Sequence, residues 1–201
     1  MHFTHVANLP AILQSGVLKS DSHVQTESIM ITECADISIK ERRRSVEVPI
    51  PPGGVVADYV PFYFAPRSPM MYSISRGNVA TYADGQQPLV YFWSWLSVAD
   101  RLQLPWIASD GNCASSLTSM TNNWRKLEES VDWQIMTAKQ WSNTAEDGDR
   151  MRRRMAEFLV HREFPFEAFT GAVTRSKAIA SLASKHLGDK LPVHVRPDWY
   201  Y

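Results

Sequence analysis

The stretch DRMRRRMAEFLVHREFPF, residues 149–166, joins a basic cluster to a short apolar segment with the composition of a β-strand. Four arginines lie between positions 150 and 154, and a single carboxylate, Glu157, stands where the strand begins. Strands favour β-branched and aromatic residues and disfavour glutamate, so an acid at this position calls for a reason. Because alternate residues of a strand share a face, Glu157, Leu159 and His161 point the same way. One interpretation is therefore a functional carboxylate at the start of a strand.

Glu157 also has a simpler interpretation, in which it is an exposed acid at a strand end, paired with Arg153 or Arg154. Glu163 and Glu167 have the same chemistry and lie close by in the sequence. Burial and electrostatic surroundings distinguish functional acids from ordinary ones, and a sequence shows neither. Spacing alone does not choose among the three glutamates.

The composition is that of an ordinary globular protein, with 44% apolar and 21% charged residues in a chain of 201. This length predicts one domain over residues 1–201. The formal net charge is zero, so attraction to nucleic acid has to come from a local patch, and residues 42–44 and 150–154 are the dense basic clusters. Cys34 and Cys113 are far apart and no CxxC occurs, so we expect neither a disulfide framework nor a metal site.

Targeting and membrane signals are also missing from the sequence. No signal-peptide pattern opens the chain. No apolar run approaches the roughly 20 residues that span a bilayer. We therefore expect no membrane association and a cytoplasmic location.

Outward from position 157, short strand-like segments are interspersed with short helical ones. Capping residues predict helices over residues 8–16, near 36–43, within 122–136 and from Ser176 to Leu187. The run PLVYFWSWL, residues 88–96, is apolar throughout and predicts a buried central strand. Three prolines are expected to break DYVPFYFAPRSPMMYSI into extended pieces. The other predicted strands cover residues 2–6, the start of 106–118, 155–160, 169–176 and the last ten residues.

This pattern predicts a β-rich α+β protein, because strands and helices do not alternate as they do in a doubly wound sheet. Neither GxGxxG nor GxxxxGK[ST] occurs. A Rossmann nucleotide site and a phosphate-binding P-loop are therefore both unsupported.

A lone glutamate suits the cleavage of an N-ribosyl bond. Breaking the bond between C1′ and nitrogen gives an oxocarbenium-like centre, which a carboxylate stabilises. The same anion can orient the ribose and deprotonate an incoming nucleophile. A typical glycosidase needs a second acid to protonate its leaving group, whereas nicotinamide leaves as a neutral base. A single carboxylate is thus more plausible for NAD+ chemistry than for sugar hydrolysis.

Donors for a nucleotide occur on the first strand and in the run IKERRRSVEV, residues 39–48. His2 and Thr4 share one face of the strand and could hold ribose hydroxyls, or they form an ordinary polar strand edge. An arginine fork could pair with pyrophosphate, although such a run is usually a solvated face. Adjacent helical residues point about 100° apart, so only one of the three arginines is expected to face a site.

Two segments could contact single-stranded nucleic acid. The aromatic segment YVPFYFAPRSPMMY, residues 59–72, is either core or, with Arg67 and Tyr72, a stacking platform. The loop KQWSNTAEDGDRMRRR, residues 139–154, carries Trp141 and then the arginine cluster, diluted by three acids.

Taken in order, the motifs HFTH, NLPAIL, IKERR, DYVPFYFAPRSPMMY, SDGN, RRRMAEFLV and VRPDWYY closely resemble those of the DarT family from end to end. DarT proteins are the toxin halves of DarT–DarG toxin–antitoxin systems. The resemblance implies an ADP-ribosyltransferase fold of the diphtheria-toxin and PARP type, with central, mostly antiparallel sheets flanked by helices. It implies transfer of ADP-ribose from NAD+, the co-substrate, onto a base of single-stranded DNA, thymine in the better-known branch. The implied partner besides DNA is a macrodomain antitoxin that removes the mark.

The resemblance also implies residue roles. The family's catalytic glutamate falls on Glu157, and its essential arginine on Arg43, with Arg44 next because the tandem arginines leave the register open. The DNA-facing loop corresponds to residues 138–154. The residues implied to bind NAD+ are His2, Phe3, Thr4, His5, Asn8, Leu18, Arg43, Tyr59, Phe62, Tyr63 and Tyr72. Those implied to bind DNA are Arg67, Met70, Trp141, Arg150, Arg152, Arg153 and Arg154.

Other functions remain open at this point. One is an NAD-consuming enzyme that modifies guanine or protein, or that hydrolyses NAD+. Another is a non-catalytic binder of single strands that uses the aromatic and arginine surface. The last is a structural interaction module that releases no nicotinamide.

Overall fold

The computed structural model describes residues 1–201 and contains ten strands and nine α-helices. The strands are β1 (His2–His5), β2 (Val17–Lys19), β3 (Tyr59–Tyr63), β4 (Leu89–Trp93), β5 (Trp106–Ser109), β6 (Met120–Thr121), β7 (Glu157–His161), β8 (Glu163–Pro165), β9 (Gly171–Thr174) and β10 (Val193–Val195). The helices are α1 (Leu9–Ser15), α2 (Asp21–Thr26), α3 (Ile37–Ser45), α4 (Pro69–Ser75), α5 (Ser97–Arg101), α6 (Trp124–Ser130), α7 (Trp133–Thr137), α8 (Arg150–Arg154) and α9 (Lys177–Leu187).

The strand that begins with Glu157 lies inside a four-stranded sheet of order β3-β7-β5-β6. Both neighbours of β7 are antiparallel to it, and Tyr63 is the register partner of Glu157. The first four residues of β7 are buried, as the run EFLV predicts. Pro61 lies within β3, which is an edge strand, and an edge is where a residue without an N–H is tolerated.

A second four-stranded sheet has the order β1-β4-β9-β10. Its strand β4 is the predicted apolar central strand, and it pairs with β1 on one side and β9 on the other. The β9–β10 pair is parallel, and α9 makes the crossover between them. A small antiparallel pair of β2 and β8 completes the sheets. The predicted α+β fold with mostly antiparallel sheets is confirmed.

The main hydrophobic core joins the two larger sheets. Phe62 and Phe158 from one sheet and Val90 and Phe92 from the other belong to the same buried cluster. The ring centroids of Phe92 and Phe169 are 4.8 Å apart and nearly parallel. Such aromatic pairs contribute about 0.5–1.5 kcal/mol beyond the area that they bury. This core fixes the sheets relative to each other, and the first strand and Glu157 lie on different sheets.

The predicted helices over residues 8–16, 36–43, 122–136 and 176–187 are found, with bounds shifted by a few residues. Gly16 ends α1 in the left-handed conformation, at φ 71°, as its position predicts. Asp36 and Ser176 cap α3 and α9 through their side chains. Residues 138–149 contain neither helix nor strand, as expected of a polar loop.

Two local predictions were wrong, and one predicted strand is found but ends a residue early. Residues 69–75 form α4 instead of an extended piece, because the Ser68 hydroxyl accepts from the Met71 N–H and Pro69 fits the first helical turn. The first strand ends at His5, whose side chain caps a 3-10 turn over Val6–Asn8. The last strand ends at Val195, before a 3-10 turn over Pro197–Trp199. None of the helices combines the length and the apolarity that crossing a lipid bilayer requires.

Candidate active site

A cavity of about 340 Å³ opens where the two larger sheets approach each other. The first strand contributes His2, Phe3 and Thr4 to its wall. Helix α3 contributes Arg43, and the start of β7 contributes Glu157. The other lining residues considered below are Asn8, Leu18, Asp21, Lys40, Arg42, Tyr59, Pro61, Tyr63, Met70, Asn112 and Met155. The cavity therefore collects residues from both sheets and from α3.

Glu157 is buried, with 4% of its surface exposed, and it faces this cavity. Arg43 Nη1 donates to both carboxylate oxygens, at 3.1 Å to Oε1 and 2.8 Å to Oε2. The Glu157 backbone N–H donates to Ser109 Oγ at 3.0 Å, which fixes the start of β7 against β5. The interpretation of Glu157 as an exposed acid paired with Arg153 or Arg154 was therefore wrong.

The ion pair between Arg43 and Glu157 does not use the second terminal nitrogen of the guanidinium, Nη2. Burial lowers the pKa of the guanidinium, but Glu157, together with Cys113 and Tyr63 nearby, raises it by more, so the pKa of Arg43 ends above its ordinary value. The group thus carries a permanent positive charge. Its Nη2 is shielded from water and has no hydrogen-bond partner. A buried, charged donor beside a carboxylate is suited to hold an oxygen atom of a bound substrate.

The register of the tandem arginines follows from the geometry of α3. Arg42 is exposed, and Arg44 forms an ion pair with Asp21, with Nη2 2.8 Å from Oδ2. Lys40 bridges Asp21 and Glu33. The guanidinium groups of Arg42, Arg43 and Arg44 therefore have three different surroundings, as the rotation of about 100° between successive helical residues requires. Arg43 contacts Glu157, whereas Arg44 is held by Asp21 and does not line the cavity.

His2 Nδ1 lies 2.9 Å from the Pro61 carbonyl oxygen, which requires the proton on Nδ1. Burial lowers the pKa of His2 to about 4, so the ring is neutral at pH 7. Its Nε2 is then an acceptor for a hydroxyl group of a ligand. His5, in contrast, lies outside the cavity, with its Nε2 3.6 Å from Asp84 Oδ2.

Asn8 borders the cavity, but its amide is already used. Its Oδ1 accepts from the Thr32 backbone N–H at 2.7 Å, and its Nδ2 donates to the Thr32 carbonyl oxygen at 3.0 Å. The same Nδ2 donates to Thr4 Oγ1 at 3.0 Å. Asn8 therefore fastens the segment between α2 and α3 to the first strand, and its side-chain polar atoms are not free for a ligand.

The remaining residues expected to bind NAD+ divide into two groups. Leu18, Tyr59 and Tyr63 line the cavity. Phe62 and Tyr72 do not. Phe62 packs in the core, 4.9 Å from the Phe164 ring, because it points to the opposite face of β3 from Tyr63. Tyr72 lies on the unexpected helix α4, which turns it toward Trp141.

Most of the arginine cluster expected to bind DNA is engaged within the protein. Arg152 forms ion pairs with Asp110 and Asp149, and Arg153 with Asp132 and Asp147. Arg154 is 5% exposed and donates to the carbonyl oxygens of Ile135, Met136, Pro66 and Arg67. Binding of DNA phosphates by Arg152, Arg153 and Arg154 stays a prediction, and in this structure aspartates and backbone carbonyls use those donors.

The other residues expected to bind DNA have different positions. Met70 lines the cavity between the sheets. Arg150 donates to the carbonyl oxygens of Ser142 and Gln140 and has no acidic partner. Arg67 and Trp141 lie together, since Tyr201 contacts both.

Sequence reasoning missed several residues of this region. Asn112 and Met155 line the cavity, and Asn112 Nδ2 lies 3.5 Å from Met155 Sδ. Asn112 belongs to the SDGN motif, which could have indicated it. Gly111 of that motif has no room for a Cβ atom, because the Arg152 guanidinium and backbone carbonyl occupy that space. Tyr201 ends the VRPDWYY motif, to which no role was assigned.

Comparisons with protein families, with individual proteins and with solved structures all point to the same kind of protein. The family model described as "ssDNA thymidine ADP-ribosyltransferase, DarT" matches residues 1–201. A Mycobacterium tuberculosis protein (strain ATCC 25618 / H37Rv) described as a DNA ADP-ribosyl transferase is 41% identical over 169 residues, which cover 83% of this chain and 71% of that protein.

Two solved structures of Thermus sp. 2.9 DarT share this fold. The complex with ADP-ribosylated single-stranded DNA superposes with a TM-score of 0.91 at 32% identity, covering 100% of this chain and 94% of that one. The complex with NAD+ superposes with a TM-score of 0.86 at 30% identity, covering 100% and 96%.

Proposed function

This chain belongs to the DarT family of single-stranded-DNA thymidine ADP-ribosyltransferases, and we propose that Glu157 and Arg43 are the residues that perform its reaction. The protein is an NAD+-dependent enzyme that transfers ADP-ribose to a base of single-stranded DNA, thymine in this family, and releases nicotinamide. One observation carries the residue assignment. Glu157 is a buried carboxylate that faces the cavity between the sheets, and Arg43 is its partner there.

In the proposed reaction, a ring nitrogen of the base attacks C1′ of the nicotinamide ribose. The bond between C1′ and the nicotinamide nitrogen breaks, and its electron pair leaves with neutral nicotinamide. Glu157 stabilises the positive charge that develops at C1′ and orients the ribose hydroxyls. The proton lost by the base nitrogen passes to the Glu157 carboxylate and from there to solvent.

Arg43 has a different role, because its raised pKa excludes it as a proton acceptor. Its permanent charge instead favours binding of an anionic or carbonyl oxygen at Nη2, the donor without a partner. His2 accepts a ribose hydroxyl at Nε2, in keeping with its neutral ring and its place on the cavity wall.

The decisive experiment offers NAD+ with four short oligonucleotides, each containing one kind of base, and detects products by mass spectrometry. We expect modification of the thymine strand and loss of about 10²–10⁴-fold in rate for Glu157→Gln. Glu163→Gln is the matched control, since Glu163 is an exposed glutamate on the neighbouring strand β8. A Glu157→Gln enzyme as active as this control would disprove the assignment.

The same experiment separates the alternative functions. Modification of a guanine strand, or of added protein, would show that guanine or protein is the acceptor instead of thymine. Nicotinamide release that does not depend on DNA would indicate hydrolysis of NAD+. A single-strand binder or structural module would release no nicotinamide at all.

We propose further that the enzyme acts in the cytoplasm, as a toxin restrained by a macrodomain antitoxin of the DarG kind. NAD+ and DNA are both available in that compartment, and the two buried free cysteines suit reducing conditions. Expression in a bacterial host should stop DNA synthesis, and Glu157→Gln should abolish the effect. A macrodomain protein added to the modified oligonucleotide should restore its original mass. Full growth of cells that express the active enzyme, or a mass that stays unchanged, would contradict these two proposals.

A further inference from the structure

Ser109 is the last residue of β5 and is buried, with 1% of its surface exposed. It does not line the cavity, so a bound substrate does not touch it. We infer that Ser109 is a positioning residue for the proposed reaction, whose hydroxyl group holds the backbone of Glu157 and so keeps the carboxylate in its place in the cavity. The inference rests on the proposed function, because it assumes that Glu157 stabilises the charge that develops at C1′.

The hydroxyl group of Ser109 extends the pairing of β5 with β7 to the residue that matters for the chemistry. Backbone pairing of these two strands ends at Ala108 and Phe158, one residue short of Glu157. At the next position the Glu157 backbone N–H donates to Ser109 Oγ at 3.0 Å. Because β7 starts at Glu157, only two residues after α8 ends, this contact fixes the first residue of the strand on its β5 side.

The same hydroxyl group also holds a turn in the cavity wall. It donates to the Gly111 carbonyl oxygen at 2.8 Å, and the next residue, Asn112, lines the cavity. The Asn112 N–H in turn donates to the Arg152 carbonyl oxygen at 3.0 Å. A hydroxyl group accepts and donates at the same time, so Ser109 joins the start of β7 to this turn. The separation of Glu157 and Asn112 across the cavity wall therefore depends on one buried side chain.

The groups around Ser109 are poor replacements for its hydroxyl group. Ile107 and Leu159 precede and follow Ser109 and Glu157 by two positions on the same strand faces, and both are buried in one cluster with Cys113. Burial, and next the charge of Glu157, raise the pKa of the Cys113 thiol, so this group is neutral and only a weak acceptor. Loss of the hydroxyl group thus leaves the Glu157 N–H without a strong acceptor in apolar surroundings.

A displaced Glu157 should slow the chemical step more than it weakens the binding of NAD+. A displacement of about 1 Å in a catalytic group can cost about 10²-fold in rate. The positive charge at C1′ that Glu157 stabilises is fully developed only in the transition state. Loss of an interaction of this kind lowers kcat and leaves KM largely as it was.

The test measures nicotinamide release from NAD+ in the presence of a thymine strand, as kcat per folded enzyme and as KM for NAD+. Ser109→Ala removes the hydroxyl group, and Ser109→Thr and Ser109→Val are a pair of similar shape of which only the first keeps it. Ser94→Ala is the matched control, because the Ser94 hydroxyl also donates to a backbone carbonyl, that of Ala168 at 2.7 Å, and Ser94 does not line the cavity. Urea unfolding gives the folded fraction of each variant.

We expect Ser109→Ala and Ser109→Val to lower kcat by about 10- to 100-fold with KM for NAD+ unchanged. Ser109→Thr should keep a higher kcat than Ser109→Val, and Ser94→Ala should match wild type. In enzyme that already carries Glu157→Gln, Ser109→Ala should cause no further loss, since Ser109 acts through the carboxylate. A serine with a purely structural role would lower the folded fraction but would show neither the dependence on Glu157 nor the selective loss of kcat.

A kcat of Ser109→Ala and Ser109→Val equal to that of Ser94→Ala would overturn the positioning role. An equal fold-loss with and without the Glu157 carboxylate would overturn it as well. If Glu157→Gln is inactive in those cases, the proposed function stands and only the role of Ser109 fails. A fully active Glu157→Gln would instead disprove the proposed function itself.

Discussion

Breaking the ion pair between Arg43 and Glu157 should destabilise the folded protein as well as slow the reaction. The side chains of Arg43 and Glu157 are 18% and 6% exposed, so either one is left as an isolated, largely buried charge when the other is neutralised. Removing one partner of a buried pair costs about 3–5 kcal/mol in the free energy of unfolding. Because Arg43 keeps some contact with water, the lower end, about 3 kcal/mol, applies to Glu157→Gln and to Arg43→Gln.

The assay is a double-mutant cycle measured by urea unfolding at pH 7 and checked by thermal melting. A loss of about 3 kcal/mol corresponds to a drop of roughly 6–12 °C in a protein of this size. The double variant contains no isolated charge, so it should lose less than the sum of the single losses, with a coupling of about 1–3 kcal/mol. Arg42→Gln, an exposed neighbour on the same helix, is the control and should change stability by less than about 0.5 kcal/mol.

Additive losses would refute this reasoning. If the double variant equals the sum of the two single variants within about 0.3–0.5 kcal/mol, the two side chains do not interact in solution. The proposed roles of Arg43 and Glu157 would then have to be assigned independently. A cycle measured on the rate of nicotinamide release should show the same coupling, since the residues act as one unit in the proposed mechanism.

Three further outcomes follow from the site. Asn8→Ala should cost about 1–3 kcal/mol in the free energy of unfolding, because it leaves both backbone groups of Thr32 unpaired. A raised KM for NAD+ would show that the segment between α2 and α3 shapes the cavity. A stability equal to wild type would contradict the contact between Asn8 and Thr32. Arg154→Gln should cost about 3 kcal/mol in the free energy of unfolding, because it leaves buried carbonyl groups without donors. The salt dependence of DNA binding should stay as in wild type. A weaker salt dependence would mean that Arg154 contacts phosphate. Burial lowers the pKa of His2 from 6.5 to about 4, so near pH 5 the folded state binds fewer protons than the unfolded state. The stability that His2 contributes above pH 6.5 is therefore lost as the pH falls to 4. In His2→Gln the urea midpoints at pH 7 and pH 4.5 should lie closer together than in wild type, and an unchanged difference would show that the imidazole is solvated.

Much of the fold could be predicted from the sequence, because its signals are local. The apolar run in β4 and the side-chain caps at Asp36 and Ser176 act over a few residues. The helix α4 was missed because three prolines were weighed as strand breakers, whereas Ser68 and Pro69 together start a helix.

The candidate site was predicted in part, for a related reason. Glu157 and Arg43 came from an ordered set of motifs, and the structure brings them together across 114 positions of sequence. The states of Arg152, Arg153 and Arg154 could not be predicted in full, since several of their partners, such as Asp110, Asp132 and the Pro66 carbonyl, come from distant segments. A sequence shows where charges are dense, but not which of them are already neutralised by the fold.

The position of β7 between two hydrogen-bonded neighbours has a consequence for how such an enzyme could diversify. A carboxylate on this strand cannot change position without disturbing the whole sheet. The backbone amides of β7 should therefore be among the slowest to exchange hydrogen for deuterium. The segment that the family resemblance implies faces DNA contains, over residues 138–149, neither helix nor strand, and loops tolerate replacement. New preferences for base or nucleotide sequence should therefore be obtainable by grafting this loop, while the position of Glu157 in the sheet stays the same.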